Sequence, residues 1–591
     1  MSNTNRSPKN SSPISPKTPG KTSPQSPAPP KNTPKKYGGT IHALFPELGG
    51  IALSVVLFYL SFPNNFSHNG FGALGFVALF PLARVINRAP LWRLLIYAPL
   101  TGFTTYALFN IWLINFHPLA IIVVPVIYAV YYLILIPLMK LPTYAFGRHA
   151  WLIQVIIWVA YEYVRTLGFL GYPYGIIAYT QYLNIPLLNF ASLGGISAVS
   201  ALIVMPQFFL AQILDGRKSG LRFRNIRNIW NIRKELAQRF REKICHFKAE
   251  IIGMGVLFSF ALLYGVFSQV NYSDAPRVKM TLVQQNVDPW IGGLRAYKNS
   301  MDASIRQTRR ALEETPDTEL IVWSETSFIP AIDFHSTYRN EVEKYELVDE
   351  LLEYIDSTNI PVLLGNGDGQ LVMNEEGEYV REDYNAVYLY KNRSERQIYR
   401  KLHLVPFSEY FPYKKQLPWL HKVLVDSNTS FWEKGDEWTV FELENLKNVE
   451  RLRFSTPICF EDSFAYLNRG FVQRGADLII NVTNDSWSKS IPAAVQHAAM
   501  AVFRSVENRR TVVRSTNGGL TVVIDPNGRI IQRNEPFTES FITVDVPIYT
   551  QSTGMYTRTG DIPAQIFLTL AVVLSALSVG IVCKAKARGA E

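Results

Sequence analysis

Eight apolar stretches limit what this chain can become. They lie near 41–62, 70–87, 94–115, 118–139, 151–167, 193–214, 249–269 and 562–583. Each approaches the roughly 20 residues that a helix needs to cross about 30 Å of hydrocarbon. Backbone inside a bilayer must be satisfied within the protein, so all eight are expected to be helices. Pro125 is tolerable inside one of them if neighbours satisfy the freed groups. The connections alternate in charge. Arg84, Arg88 and Arg93 follow the second stretch, and Lys140 and Arg148 follow the fourth. The connection 215–248 carries eleven Lys and Arg against three acidic residues, and Lys584, Lys586 and Arg588 follow the last stretch. The connections 63–69 and 116–117 carry no Lys or Arg. Basic connections stay in the cytoplasm. Seven spans from a cytoplasmic N-terminus then put 270–561 on the opposite side, and the eighth returns the C-terminus.

The composition is split to match. Apolar residues make up 48% and charged residues 18%, too apolar for a purely soluble enzyme and too charged for a pure membrane bundle. Residues 1–36 hold nine prolines, six lysines and Arg6 with no acidic residue. Such a segment buries too little apolar surface to offset chain entropy and is expected to be disordered. It has no apolar core of a signal peptide. Its charge suits solvent or anionic lipid headgroups. Nucleic acid is not expected as a partner, because no basic module with interleaved aromatics follows. The stretch from Gly171 to Asn189 is aromatic and nearly uncharged, which fits an outer aromatic belt or a lip for lipid entry. Within the apolar stretches, Glu162 and Arg165 stand three apart on one helical face and are expected to pair.

Residues 276–548 read as a water-facing α/β domain. Short β-branched runs recur at Val278–Val283, Leu320–Trp323, Val362–Leu364, Ala386–Tyr390, Leu478–Val482 and Leu520–Ile524. Amphipathic helical stretches at Tyr297–Glu313 and Glu341–Ser357 separate some of them. Alternating strands and helices favour a layered α/β architecture. Asp525-Pro-Asn-Gly528 is a turn signal between two strands.

The chemistry concentrates in Thr456-Pro-Ile-Cys-Phe-Glu-Asp-Ser-Phe464, which follows a β-like run, Val449–Phe454. Of the three cysteines, Cys245 and Cys583 fall at the cytoplasmic face, so Cys459 stands alone in the exported domain. A lone exported cysteine has no partner for a structural disulfide and is flagged as a reactive thiol. A free thiol has a pKa of about 8.5 and needs a base, and its tetrahedral adduct needs donors. Glu325, ending Ile321-Val-Trp-Ser-Glu-Thr326, and Lys401 with Glu409, in the stretch Arg400–Pro412, offer these groups. A metal site is not expected, since there is no H-E-x-x-H and no paired-cysteine spacing.

Together these segments resemble a known family. Val283-Gln-Gln-Asn286, W-S-E-T around Glu325, K-L-H-L-V-P-F-S-E-Y-F-P from Lys401, I-C-F-E around Cys459, Asn481-Val-Thr-Asn-Asp-Ser-Trp487 and Arg514-Ser-Thr-Asn-Gly518 resemble the apolipoprotein N-acyltransferases. These are the membrane branch of the nitrilase, or carbon–nitrogen hydrolase, superfamily. The resemblance covers about 41–583. It implies a polytopic helical membrane bundle of about eight spans plus an exported α/β nitrilase-like domain, an αββα sandwich. The divisions are a tail 1–36, seven spans in 41–269, a catalytic domain 276–548 and a last span 562–583. It implies a Glu325–Lys401–Cys459 triad without cofactor, the backbone N–H of Phe460 as an oxyanion donor, and Glu409 and Glu461 orienting Lys401 or tuning its charge. Trp290, Asn484 and Trp487 are the candidate substrate-binding residues; Trp290 answers the family's tryptophan after V-Q-x-N at a different spacing. The implied partners are the membrane, a phospholipid acyl donor such as phosphatidylethanolamine, and a diacylated apolipoprotein acceptor. The implied location is the bacterial inner membrane, with the catalytic domain on the periplasmic side. Ser408, Phe460 and Ser486-Trp-Ser-Lys489 depart from the family's usual Gly, Tyr and Ala-Trp-Phe-Gly. Two other readings of the same residues stand beside this one, a membrane-tethered amidase or nitrilase acting on a small soluble substrate and a non-catalytic lipid-binding membrane protein.

Overall fold

A computed structural model describes residues 38–116, 120–215, 245–374, 377–426 and 431–588. The tail 1–36 and nearly all of the connection 215–248 lie outside them. Two compact units are distinguished, 1–46 and 47–591. Of the first only 38–46 are described, and they are helical. Everything below concerns the second.

Five helices among the described residues are long and apolar enough to cross a membrane: Leu44–Ser61, Ala120–Ala145, Ala191–Asp215, Lys248–Phe267 and Ile562–Arg588. The helices Leu91–Phe109 and Ala150–Val164, of 19 and 15 residues, pack in the same bundle. The stretch 70–87, expected as one span, is not a continuous helix. It is a 3-10 turn, Gly72–Phe76, followed after a break by the nine-residue helix Phe80–Arg88. Its outer turn lies so close to Thr180 that a Cβ on Gly72 would stand 2.4 Å from the Thr180 carbonyl oxygen. The broken backbone finds partners on neighbouring helices, as buried irregular backbone must. Gln207 accepts from the Leu79 N–H at 2.6 Å and donates to Gly75 O at 3.0 Å, and Ser54 donates to Ala78 O. The C-terminal end of the Phe80–Arg88 helix is fixed by Arg84 and Arg88 on Asp215.

Glu162 and Arg165 do not pair as expected. Glu162 Oε1 accepts from Ile177 N at 2.9 Å, while Arg165 donates to the hydroxyls of Tyr106 and Tyr128 and to Tyr174 O. Both side chains hold the 171–189 connection from below. That connection is not a lipid-facing belt: Tyr174 and Ile176–Tyr182 are buried between the helices and the α/β domain.

The α/β domain is a sandwich of two six-stranded sheets. The first has the order β12-β1-β2-β3-β4-β5, with β1 Arg277–Gln284, β2 Leu320–Val322, β3 Val362–Met373, β4 Tyr379–Asn392, β5 Glu395–Arg400 and β12 Ser540–Pro547. The second has the order β11-β10-β9-β8-β7-β6, with β6 Phe441–Glu444, β7 Arg451–Ser455, β8 Leu478–Thr483, β9 Thr511–Thr516, β10 Val522–Ile524 and β11 Ile530–Arg533. β1, β2 and β3 run parallel, as do β7, β8 and β9, and antiparallel strands flank each set. β8 and β9 bury every residue, as central strands covered on both faces do. The Asp525-Pro-Asn-Gly528 turn joins β10 to β11 as an antiparallel hairpin. Ser515 on β9 donates to Val283 O and Val322 O, stitching the sheets face to face.

Helices Leu294–Glu314 and Val342–Thr358 cover the first sheet, packing Met301, Ile305, Leu351 and Ile355 against Ile321, Trp323 and Leu364. Helix Ile491–Asn508 covers the second and is buried from Pro492 to Asn508, because Ala191–Asp215 lies on its other face. The sandwich is therefore seated directly on the membrane helices. Trp112 Nε1 donates to Gln496, Gln496 donates to Pro63 O, and Asn115 donates to Ser488 O.

Candidate active site

Three strand ends meet at the end of the sandwich that faces the bundle. Glu325 lies three residues past β2, Lys401 directly follows β5, and Cys459 lies four residues past β7. Glu325 and Lys401 thus come from the first sheet and Cys459 from the second. Lys401 is fully buried and Glu325 is 5% exposed.

Glu325 is held by both oxygens. Oε1 accepts from Asn385 Nδ2 at 2.9 Å, Oε2 accepts from Asn484 N at 2.9 Å, and Lys401 Nζ stands 3.6 Å from Oε1. The backbone behind it leaves no room, since a Cβ on Gly365 would lie 2.6 Å from Glu325 Cα. Lys401 Nζ donates to Glu409 Oε1 at 2.8 Å, and Glu409 Oε2 accepts from Val405 N at 2.8 Å. Burial works against the Lys401 charge, but Glu409 and then Glu325 hold its pKa well above the usual range. Burial raises the proton affinity of Glu325, with Lys401 opposing and Glu409 adding.

Cys459 opens a short 3-10 helix, Cys459–Ser463, with a φ of 49°. That left-handed backbone costs a residue with a Cβ on the order of 1 kcal/mol or more. Surrounding bonds hold it there. Asn481 donates to Pro457 O at 2.9 Å and to Cys459 O at 3.1 Å, and Ile458 bridges to Val482. Burial pushes the Cys459 thiol well above its ordinary pKa, the Glu325 carboxylate pushes it further, and Lys401 opposes both. Its thiol form is thereby favoured at rest.

Glu461 makes no direct bond to Lys401, though the Lys401 charge works against burial to lower its pKa. Its Oε1 accepts from Leu402 N at 2.7 Å and His403 N at 2.8 Å, its Oε2 accepts from Ile458 N at 2.7 Å, and the Tyr399 hydroxyl donates to both oxygens. It ties the backbone after Lys401 to the backbone before Cys459. Burial pushes its pKa up to about 7 against these donors. Asn484 is likewise committed to protein, with Nδ2 on Thr326 and Oδ1 accepting from Asn517. Its backbone N–H and side chain shape the Glu325 pocket.

Family models match both parts of the chain. An apolipoprotein N-acyltransferase N-terminal domain matches residues 54–208, and a carbon-nitrogen hydrolase model matches 280–554. Apolipoprotein N-acyltransferase 1 of Treponema denticola is 39% identical over 525 residues, covering 86% of this chain and 92% of that protein. The chain belongs to the apolipoprotein N-acyltransferase family. The protein of the same name in Treponema pallidum is 37% identical over 514 residues, covering 86% and 91%. A solved carbon-nitrogen hydrolase from Helicobacter pylori aligns at 11% identity with a TM-score of 0.32, over 46% of this chain and 90% of that one.

The remaining site residues face the membrane helices. The Phe460 ring lies 6.3 Å from those of Tyr172 and Tyr174, and its N–H is in the first turn of its helix, where no partner exists within the helix. Trp487 packs on Trp112 and Phe116, with ring centroids at 5.5 and 5.0 Å. Trp290 meets the other side of Phe116 at 5.9 Å and is 54% exposed. The two tryptophans thus share one aromatic wall built around a residue of the bundle. Asn385 and Asp485 escaped the sequence reading. Asn385 lies on β4, 60 residues from the carboxylate it holds. Asp485 sits inside a quoted motif, but nothing local marks its partners.

Proposed function

We propose that this chain transfers an acyl chain from a phospholipid to the N-terminal α-amine of a lipoprotein's diacylglyceryl-cysteine, through a thioester on Cys459. One observation carries the reading: buried Glu325 and Lys401 and half-buried Cys459 open against the aromatic end of a membrane bundle, with Phe460 on Tyr172 and Tyr174. In the first step Cys459 Sγ attacks the ester carbonyl as Glu325 takes its proton. The S–C bond forms, the ester C–O bond breaks, and the lysophospholipid hydroxyl leaves with the proton from Glu325. In the second step the α-amine attacks the thioester carbonyl, the C–S bond breaks, and the amine proton returns the thiol through Glu325. Lys401 Nζ and the Phe460 N–H hold the oxyanion in both steps. A dry site favours the amine over water.

Phosphatidylethanolamine is the donor proposed, at the periplasmic face of a bacterial inner membrane. The orientation is supported by the positions of the charges. Arg84, Arg88 and Arg148 pair with Asp215 and Glu250 at helix ends, while Trp112 and Asn115, which touch the α/β domain, lie in an uncharged connection. The test incubates purified protein with phosphatidylethanolamine and a diacylated lipopeptide and follows the peptide by mass spectrometry. A third acyl chain in amide linkage is expected. Free fatty acid with an unmodified peptide would instead show a hydrolase.

A further inference from the structure

Four charged side chains outside the Glu325–Lys401–Cys459 set close a ring behind the nucleophile. His497, on the helix Ile491–Asn508, has Nε2 2.9 Å from Asp462 Oδ1 and Nδ1 2.9 Å from Asp485 Oδ1. Arg514, on β9, donates to Asp462 Oδ2 and stands 3.4 Å from Asp485 Oδ2. All four are at most 2% exposed. The ring spans the two halves of the site. Asp462 is three residues past Cys459, and Asp485 follows Asn484, whose N–H holds Glu325.

An ionised carboxylate only accepts, so an imidazole held between two of them donates from both nitrogens and is an imidazolium. The cluster then carries two positive and two negative charges and is neutral. The other group facing the imidazole is the Tyr174 ring, a neutral phenol whose centroid lies 6.0 Å away. Burial opposes the His497 charge, but Asp462 and then Asp485 outweigh it and bring its pKa up to about 9, with Arg514 opposing. Asp485 is also among the charges that raise the Cys459 thiol. Were His497 neutral, one of its two bonds would be lost and a net negative charge would stand in an unscreened interior beside a thiol that must ionise.

We propose that His497 is a positioning residue of the acyl-transfer site, its imidazolium cancelling the Asp462 and Asp485 charges and tying the Cys459 turn to the Asn484 turn. The proposal rests on Cys459 as the reacting group. It is tested without any acyl donor, so it can fail while the transfer reaction stands, and the reverse.

The experiment follows the rate of Cys459 alkylation by iodoacetamide at pH 7, where the imidazolium and the thiol both keep their protons, in the full-length protein in detergent, read by mass spectrometry on the Cys459 peptide. Asp462→Asn keeps the shape and an acceptor but leaves the cluster at net +1, so the rate is expected to rise about 10-fold. His497→Gln leaves it at net −1, and the rate is expected to fall by about as much. The double variant D462N/H497Q is neutral again and is expected to return close to the wild-type rate. A purely structural role would lower the folded fraction without changing the rate in the molecules that remain folded. A wild-type rate in folded Asp462→Asn, or a change of the same sign in both single variants, overturns the proposal.

Discussion

Lys401 Nζ is closer to Glu409 than to Glu325, 2.8 Å against 3.6 Å. The ammonium is thus anchored by one carboxylate, with the second at longer range. Removing the anchor's charge has a specific cost. Glu409→Gln, which keeps one acceptor oxygen for Nζ but sets an amide NH2 against the Val405 N–H, is expected to lower kcat roughly 10-fold, and Glu409→Ala about 10²-fold, with the KM for lipopeptide little changed. Steady-state kinetics at fixed phospholipid would check the split.

Given phospholipid alone, the wild-type protein is expected to accumulate about one acyl chain per molecule as a thioester cleaved by neutral hydroxylamine. Cys459→Ala should carry none. Glu325→Gln should slow adduct formation by about 10²-fold and Lys401→Ala by about 10²–10³-fold. Acyl transfer to peptide at the wild-type rate by Cys459→Ala would falsify the covalent route.

Gly365 sets the depth of the Glu325 pocket. An alanine there would press its Cβ to 2.6 Å from Glu325 Cα, and only backbone is available to move. Gly365→Ala is expected to cost about 1–3 kcal/mol and to reduce adduct formation more than Glu409→Gln does. Thermal unfolding in detergent and the thioester assay on the folded fraction would read the two effects separately.

The His497 cluster predicts how stability depends on pH. Its folded pKa of about 9 lies above the unfolded value of about 6.5. The stabilisation is therefore fully present below about 6.5 and is lost as pH rises through 9, roughly 3 kcal/mol in all. The apparent Tm of the wild type should fall across that window, and His497→Gln should lack this component of the fall. A flat wild-type profile from pH 6.5 to 9.5 would contradict the charged imidazole.

Sidedness can be read on the native cysteines. In intact spheroplasts an impermeant maleimide is expected to label Cys459 and to spare Cys245 and Cys583 until the membrane is permeabilised. Labelling of Cys245 from outside, with the membrane shown to be sealed, would reverse the orientation.

Part of the strands and the three candidate side chains were legible because their signals are local, while β5, β6, β9 and β12 went unread. β8 opens on the apolar run Leu478-Ile-Ile480, and Glu325, Lys401 and Cys459 each end or follow a strand inside a short motif. What holds them was not legible. Asn385 lies 60 residues from Glu325, His497 lies 35 from Asp462, and no local spacing encodes either pairing. For Glu461 the sequence pointed to Lys401 but not to the backbone N–H groups and the Tyr399 hydroxyl that take its oxygens. The stretch 70–87 was misread because hydropathy averages over punctuation. Gly70, Gly72, Gly75 and Pro81 were there to mark the break.

That broken stretch also bears on how the protein is made. The Phe80–Arg88 helix is far shorter than a bilayer is thick, and the backbone just before it depends on Gln207, which the ribosome adds more than 120 residues later. Until Ala191–Asp215 emerges, the Leu79 N–H has no Gln207 to meet. The stretch gains this partner only once that later helix has been made, so its final packing is completed late. Gln207→Leu is thus a lesion of biogenesis as much as of stability, borne by a side chain far from the chemistry.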